Sequence, residues 1–281
     1  MCLNSTAAIA GKGIMRLLNK ILAEAPQFDM WNQAICICYR GSISHGTYIP
    51  NDKSNSIDDK DIFGIVIPTI EYFFGLKEFE QFEKKQEYWD VVIYDFRKFI
   101  RLLTKANPNV MQILWTSEKH ILKSTWQFAE ILKNKSLFIH RGLYKSFCGY
   151  AYGQLHKMEK MAYNGYMGEK RKKLVEQFGY DCKNAQHLIR LLRQGIEFLK
   201  TGELEVERKD KSELIQIKNG QWKLEKIKKE ATGLFVEMEK AYNKSKLPKN
   251  PDINKIDKLT QKILIKHFDC SITISPRRRG K

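Results

Sequence analysis

Residues 39–68 read YRGSISHGTYIPNDKSNSIDDKDIFGIVIP, and their pattern decides the fold. Tyr39 closes an apolar run from Ala34 that reads as a strand. A Gly41-Ser42 turn and a polar loop follow, and a second strand opens with Asp59-Lys60-Asp61 and runs through Ile62-Phe63-Gly64-Ile65-Val66-Ile67. On a strand, residues two apart share a face, so Asp59 and Asp61 project together. Asp58 precedes the pair and belongs to the opposite side. Two adjacent carboxylates repel unless a cation sits between them. A hard divalent ion such as Mg²⁺, with Mn²⁺ as the alternative, suits those oxygens and the phosphates of a substrate. Gly41 lets the backbone come close to a ligand, and Ser42 adds a hydroxyl beside turn N–H groups, a combination suited to phosphate.

Working outward, Glu87-Tyr88-Trp89-Asp90-Val91-Val92-Ile93-Tyr94 is a second apolar run, and Asp90 is the acid within its strand-like part. Asp95, just before Phe96-Arg97-Lys98-Phe99-Ile100, reads as a helix N-cap. Upstream, Ile14, Leu17, Leu18, Ile21 and Leu22 recur at helical spacing, after a small, polar start over residues 1–12. A short strand is expected near Phe79 and Phe82, and Asn107-Pro108-Asn109 splits two helical pieces. The chain turns mostly helical from about residue 136, and Trp115 and Trp126 are expected in the core. Phe147, Tyr150, Ala151, Leu155 and Met158 form one apolar stripe.

The helix expected from Asp181 to Lys200 buries Ala185, Leu188, Ile189, Leu192, Ile196 and Leu199, and sets Lys183, His187 and Arg190 on another stripe. Such a cationic stripe suits a triphosphate or an RNA backbone. Tyr180 reads either as a ring that stacks on a base or as a core tyrosine. Residues 203–208 read as a short strand, 224–244 and 253–268 as helices, and 163–168 as a Gly-Tyr loop. The Arg-rich tail 276–281 reads as a disordered segment able to touch nucleic acid.

These stretches resemble the nucleotidyltransferases of the DNA polymerase β superfamily. GSISHGTYIP, SIDDKDIFGIVIP, DVVIYDFRKFIRLL followed by Asn107-Pro108-Asn109-Val110, and YDCKNAQHLIRLLRQGIEFLKTGEL are similar to the predicted nucleotidyltransferase family associated with RNA repair operons and also met in phage genomes. The resemblance runs from about Tyr39 to Pro248, with Lys60 where an apolar residue is usual. It implies that Gly41 and Ser42 grip the triphosphate, that Asp59 and Asp61 hold two metal ions, and that a third acid comes from a neighbouring strand. Asp90 takes that place, with Asp95 and Glu87 as the alternatives. Lys183, His187, Arg190 and Tyr180 are then substrate-binding candidates.

Whole-chain numbers bound the rest. With 281 residues, 43 % hydrophobic and 29 % charged, the chain has the composition of a folded globular protein. No signal-peptide or membrane-spanning pattern is present, so a cytoplasmic protein is expected. Six scattered cysteines with no Cys-x-x-Cys pair indicate neither a zinc site nor a disulfide framework. A net charge of +17, from 49 Lys and Arg against 32 Asp and Glu, points to a polyanionic partner, RNA before others.

The expected fold class is therefore α+β. A small mixed β-sheet nucleotidyltransferase core spans 14–135, a helical C-terminal domain spans 136–270, and a basic tail spans 271–281. The expected activity is Mg²⁺-dependent transfer of a nucleotide from an NTP to RNA or a tRNA-like end. Protein, small-molecule and second-nucleotide acceptors, or an inactive RNA-binding module, are the other readings.

Overall fold

The computed structural model describes residues 5–24, 28–50, 58–160 and 169–273; the Gly-Tyr loop 163–168 and the Arg-rich tail 276–281 lie outside them. Its framework is a five-stranded mixed sheet in the order β3-β4-β2-β1-β5. The strands are β1 (Ala34–Tyr39), β2 (Lys60–Val66), β3 (Gln81–Gln86), β4 (Trp89–Asp95) and β5 (Ile121–Ser124). β2 and β4 run parallel, with Asp61 opposite Asp90, and every other pair is antiparallel. The acid-bearing strands are therefore immediate neighbours. β5, which pairs with β1, has no counterpart among the expected strands: its four residues, Ile-Leu-Lys-Ser, are too short to show an alternation.

The two faces of the sheet carry different layers. Ile37, Ile62, Val66, Val91 and Ile93 pack with Leu18, Ile21 and Leu22 of α1 (Ser5–Ala23), beside α2 (Met30–Gln33) and α4 (Glu71–Phe74). α1 thus begins well before residue 14, so part of the small, polar start is helical. The other face, with Cys36, Cys38, Phe63 and Ile65, meets α5 (Phe96–Thr104). Phe96, Phe99, Ile100 and Leu103 recur at i, i+3, i+4 and i+7 and are all buried. Asp95 caps α5, its carboxylate accepting from the Arg97 and Lys98 amides at 2.8 and 3.1 Å.

A one-turn α3 (Gly41–His45) follows β1, α6 (Pro108–Met111) starts on its proline, and α7 (Trp126–Lys133) follows β5. The helical half comprises α8 (Leu143–Lys160), α9 (Glu169–Phe178), α10 (Cys182–Thr201), α11 (Lys211–Lys218), α12 (Leu224–Lys244) and α13 (Ile253–Thr273). α10 is its axis, packed on α8, α11 and α12. Asp181 caps its start and Gly202, at φ 74°, ends it in the left-handed conformation. Arg193 ties α10 to Asp210, Glu213 and Glu230 at 2.8, 2.5 and 2.9 Å. One buried cluster runs from Cys36 and Phe63 on the sheet through Leu192 and Ile227 to Ile263, so the strand-bearing and helical halves share a core.

Three expectations are corrected. Residues 203–208 form no strand: Leu204 and Val206 are buried in alternation, but Gln194 donates to the Glu205 carbonyl and Glu197 accepts from the Glu205 amide. Side chains of α10 take the hydrogen bonds that a partner strand would take. Trp126 is 39 % exposed, with Lys266 over its ring, whereas Trp115 packs edge-on to Phe198. Tyr150 leaves the apolar stripe, its hydroxyl accepting from Asn107 at 2.7 Å.

Candidate active site

Strand register assembles the site. Lys85 on β3 stands opposite Asp90 on β4, and Asp90 opposite Asp61 on β2. Beyond the end of β1, the Arg40 amide donates to the Asp61 carbonyl at 2.9 Å. Directly paired residues project on the same side of a sheet, so Lys85, Asp90, Asp61 and Arg40 form one row, cation–acid–acid–cation. Lys85 Nζ lies 2.6 Å from Asp59 Oδ2, which brings Asp59 to this side too. The row continues the face that carries Phe63 and Cys38, so the carboxylates open at the edge of the shared core.

The two other candidates for a third acid stand apart from the row. Asp95 belongs to the cap of α5, and Glu87 sits in the β3–β4 turn with φ 53°.

Gly41 opens α3 with φ 64°, and its α-carbon stands against the Asp61 carboxylate: a β-carbon there would overlap Asp61 Oδ2. Glycine is required twice over, by conformation and by space. The Gly-Ser pair is therefore the first turn of a short helix. Ser44 Oγ donates to the Gly41 carbonyl at 3.0 Å, and the Thr47 amide donates to the Ser42 carbonyl at 2.9 Å.

Electrostatics single out Asp61. Burial pushes its carboxyl up to about 6, Arg40 and Lys183 pull it down, and Asp90 and Asp59 push it up again. Lys183, in the first turn of α10, also lies 3.5 Å from Asp58 Oδ1. Asp58, just before β2, is buried with Lys218 of α11 and accepts from the Ile49 amide at 2.9 Å.

The other substrate-binding candidates lie deeper than a solvated stripe. Arg190 is 4 % exposed, its guanidinium donating to Gln194 Oε1 at 2.6 Å and to His187 Nδ1 at 3.2 Å. Burial and the nearby Arg208 push it down to about 9. Burial, then Arg190 and Lys183, hold His187 well below the usual histidine range. His187 is therefore neutral, and with Nδ1 accepting from Arg190 its proton sits on Nε2. His45 of α3 is held low by burial first and Arg190 second, and pairs with Gln112 Oε1 at 2.7 Å.

Tyr180 as a base-stacking ring is corrected: it is 2 % exposed and its hydroxyl donates to the Trp222 carbonyl at 2.5 Å, so its ring faces protein. Arg40 and Lys85 were missed by sequence reading. The signal for Arg40 was its place directly before Gly41; Lys85 had none, because its place in the row is set by strand pairing.

The described residues contain no group of three or more His, Cys, Asp or Glu side chains arranged to hold a metal ion. Asp61 and Asp90 are paired, while Asp59 is engaged by Lys85. No helix among the described residues is long and apolar enough to cross a membrane.

Comparison with known proteins gives one family. The model of the RlaP family, described as RNA repair pathway DNA polymerase beta family, matches residues 20–262. No curated protein matches the chain. Among solved structures, a nucleotidyltransferase-like protein from Exiguobacterium sibiricum is similar with a TM-score of 0.29 and 11 % identity, over 82 % of this chain and 73 % of that one.

Proposed function

Because this chain belongs to the RNA repair pathway DNA polymerase beta family and is a nucleotidyltransferase, we propose that it transfers a nucleoside monophosphate from an NTP to an RNA or tRNA-like end in the cytoplasm. The observation that carries the reading is the in-register pair Asp61 and Asp90 set against Gly41.

Mg²⁺, or Mn²⁺ in its place, would be held by Asp59, Asp61 and Asp90, and when bound would lower the pKa of the attacking hydroxyl and neutralise the departing pyrophosphate. The chemistry of the donor set suits a hard divalent ion: all three groups are carboxylates, and behind burial, the main cause, Asp90 and Asp59 add to the rise of the Asp61 carboxyl. Asp59, held by Lys85 in the structure, would complete the set on leaving it.

The remaining steps belong to the chain. Gly41 admits the phosphates to the backbone, and the Ser42 hydroxyl holds their oxygens. Arg40 and Lys183, the two cations that act on Asp61, offset phosphate charge and orient the nucleotide for in-line attack. His187 offers a neutral N–H, and Arg190 acts through His187 by fixing its ring. Residues 14–135 thus supply the acids and the turn, and 136–270 supplies Lys183, His187 and Arg190. The excess of basic residues supports RNA as acceptor.

The test is incubation with Mg²⁺ and each α-³²P-labelled NTP, with and without total RNA, beside Asp61→Asn. Label entering RNA only with Asp61 intact upholds the reading. Release of a small labelled product without RNA assigns a second nucleotide as acceptor, and label on protein assigns a protein. No transfer under any condition overturns the enzymatic reading in favour of an RNA-binding module.

A further inference from the structure

Lys218 ends α11 with its side chain 2 % exposed, facing Asp58 at 0 %. The ammonium ion-pairs with Asp58 Oδ2 and donates to the Thr47 carbonyl at 2.9 Å. Asp58 Oδ2 also accepts from the Ile49 amide at 2.9 Å. Thr47 lies two residues after α3, and Asp58 directly precedes Asp59. One ammonium therefore joins the end of the Gly41–His45 turn to the start of the acid strand. The Arg208 amide adds a bond to the His45 carbonyl at 3.1 Å, and Lys183 approaches the other Asp58 oxygen.

Stability alone is a weak reason for such a pair. Desolvating an ammonium and a carboxylate consumes most of their attraction, and apolar residues of similar volume commonly do as well. What the pair does, and an apolar pair cannot, is hold a backbone carbonyl and a carboxylate that themselves position neighbouring groups.

We propose that Lys218 is a positioning residue for nucleotidyl transfer, clamping Thr47 to Asp58 so that the Gly41–Ser42 turn and the acids Asp59 and Asp61 keep one geometry. The proposal rests on the reading of this site as the transfer centre. Lys218 touches no reacting group and acts through Thr47 and Asp58. The helical half thereby sets the catalytic geometry as well as contacting substrate.

The experiment compares Lys218→Met with Asp58→Asn/Lys218→Met, and with Lys218→Gln, which keeps a donor should the double variant fail to fold. Thermal unfolding, kcat and KM for NTP, and hydrogen exchange of peptides covering Thr47–Ile49 and Asp58–Ile62 are measured. Lys218→Met leaves the buried Asp58 carboxylate with the more distant Lys183 ammonium and is expected to lower Tm by about 10 °C. The neutral double variant is expected to recover Tm to within about 3 °C. Its kcat should stay down by about tenfold or more, with NTP KM changed less than about threefold and faster exchange in both peptides. Wild-type kcat and exchange in the double variant, or in Lys218→Met itself, overturn the proposal. The Asp61→Asn control keeps the two readings apart: loss of transfer with Tm and exchange intact upholds the centre whatever Lys218 does. If the wild-type protein transfers no nucleotide, exchange decides, and unchanged protection in the Lys218 variants overturns the clamp.

Discussion

Asp61 and Asp90 are directly paired residues on the neighbouring parallel strands β2 and β4. Two carboxylates thus share one face at the edge of the core, and the structure places Arg40 and Lys85 at the two ends of their row. Like charges so placed cost the folded protein something, and a cation between them removes that cost.

The cost of ionising Asp61, set by burial first and by Asp90 and Asp59 after it, is measurable through pH. The Asp61 carboxyl is raised to about 6 in the folded chain, above its unfolded value of about 4. Between those two values the folded state binds more protons than the unfolded one, so its stability falls as pH rises through that window. The metal-free protein is expected to lose on the order of 1–2 kcal/mol there, after solvent screening. Asp61→Asn should flatten that part of the profile. Mg²⁺ should raise Tm above pH 6 in the wild type and not in the variant, as differential scanning fluorimetry at several pH values would read.

Asp61→Asn is also expected to reduce nucleotide transfer on the order of a hundredfold or more, with Tm at pH 7 equal to or above wild type. Full metal-dependent transfer by the variant would remove Asp61 from the chemistry.

Gly41→Ala introduces a β-carbon into the space of the Asp61 carboxylate at a backbone φ of 64°. The expected result is destabilisation of about 1–3 kcal/mol, with loss of transfer, because the Asp61 side chain must move. Denaturant unfolding beside the transfer assay checks both halves.

Lys85 is 64 % exposed in its pair with Asp59, so Lys85→Ala should change stability by less than about 0.5 kcal/mol. On the proposed role of Asp59 as a metal ligand, the ammonium competes with the ion, and the variant should reach half-maximal transfer at a lower Mg²⁺ concentration. A Mg²⁺ titration showing the same or a higher requirement would refute the competition.

Tyr180→Phe removes a buried hydroxyl that donates to the Trp222 carbonyl. It should cost about 1 kcal/mol of stability and leave NTP KM unchanged. A several-fold rise in KM with unaltered Tm would return Tyr180 to the nucleotide site.

Local chemistry made much of this chain legible. β1 and β2 follow from apolar runs, and α10 and α12 from 3.6-residue periodicity, with ends close to those expected. Asp95 announced itself as a cap because an N-cap is decided by the residues immediately after it. The acid-bearing strand and the Gly-Ser turn were readable for the same reason: alternation and glycine tolerance are properties of a few consecutive residues.

Pairing and depth were not legible. That Asp90 stands beside Asp61, and that Arg40 and Lys85 flank them, depends on β4 pairing in parallel with β2 and on its register, which join residues far apart in the chain. Lys183, His187 and Arg190 share a stripe on any helical wheel, yet only tertiary packing decided that Arg190 is buried and bonded to His187 while Lys183 lies near Asp58 and acts on Asp61. Residues 203–208 alternate like a strand and form none, because α10 side chains satisfy their backbone. The sequence by itself determined most of the elements and the acids and glycine turn of the site, since those rest on neighbours in the chain. The tertiary structure alone decided which groups meet and how deeply each is buried, since register and desolvation arise between segments that the chain keeps apart.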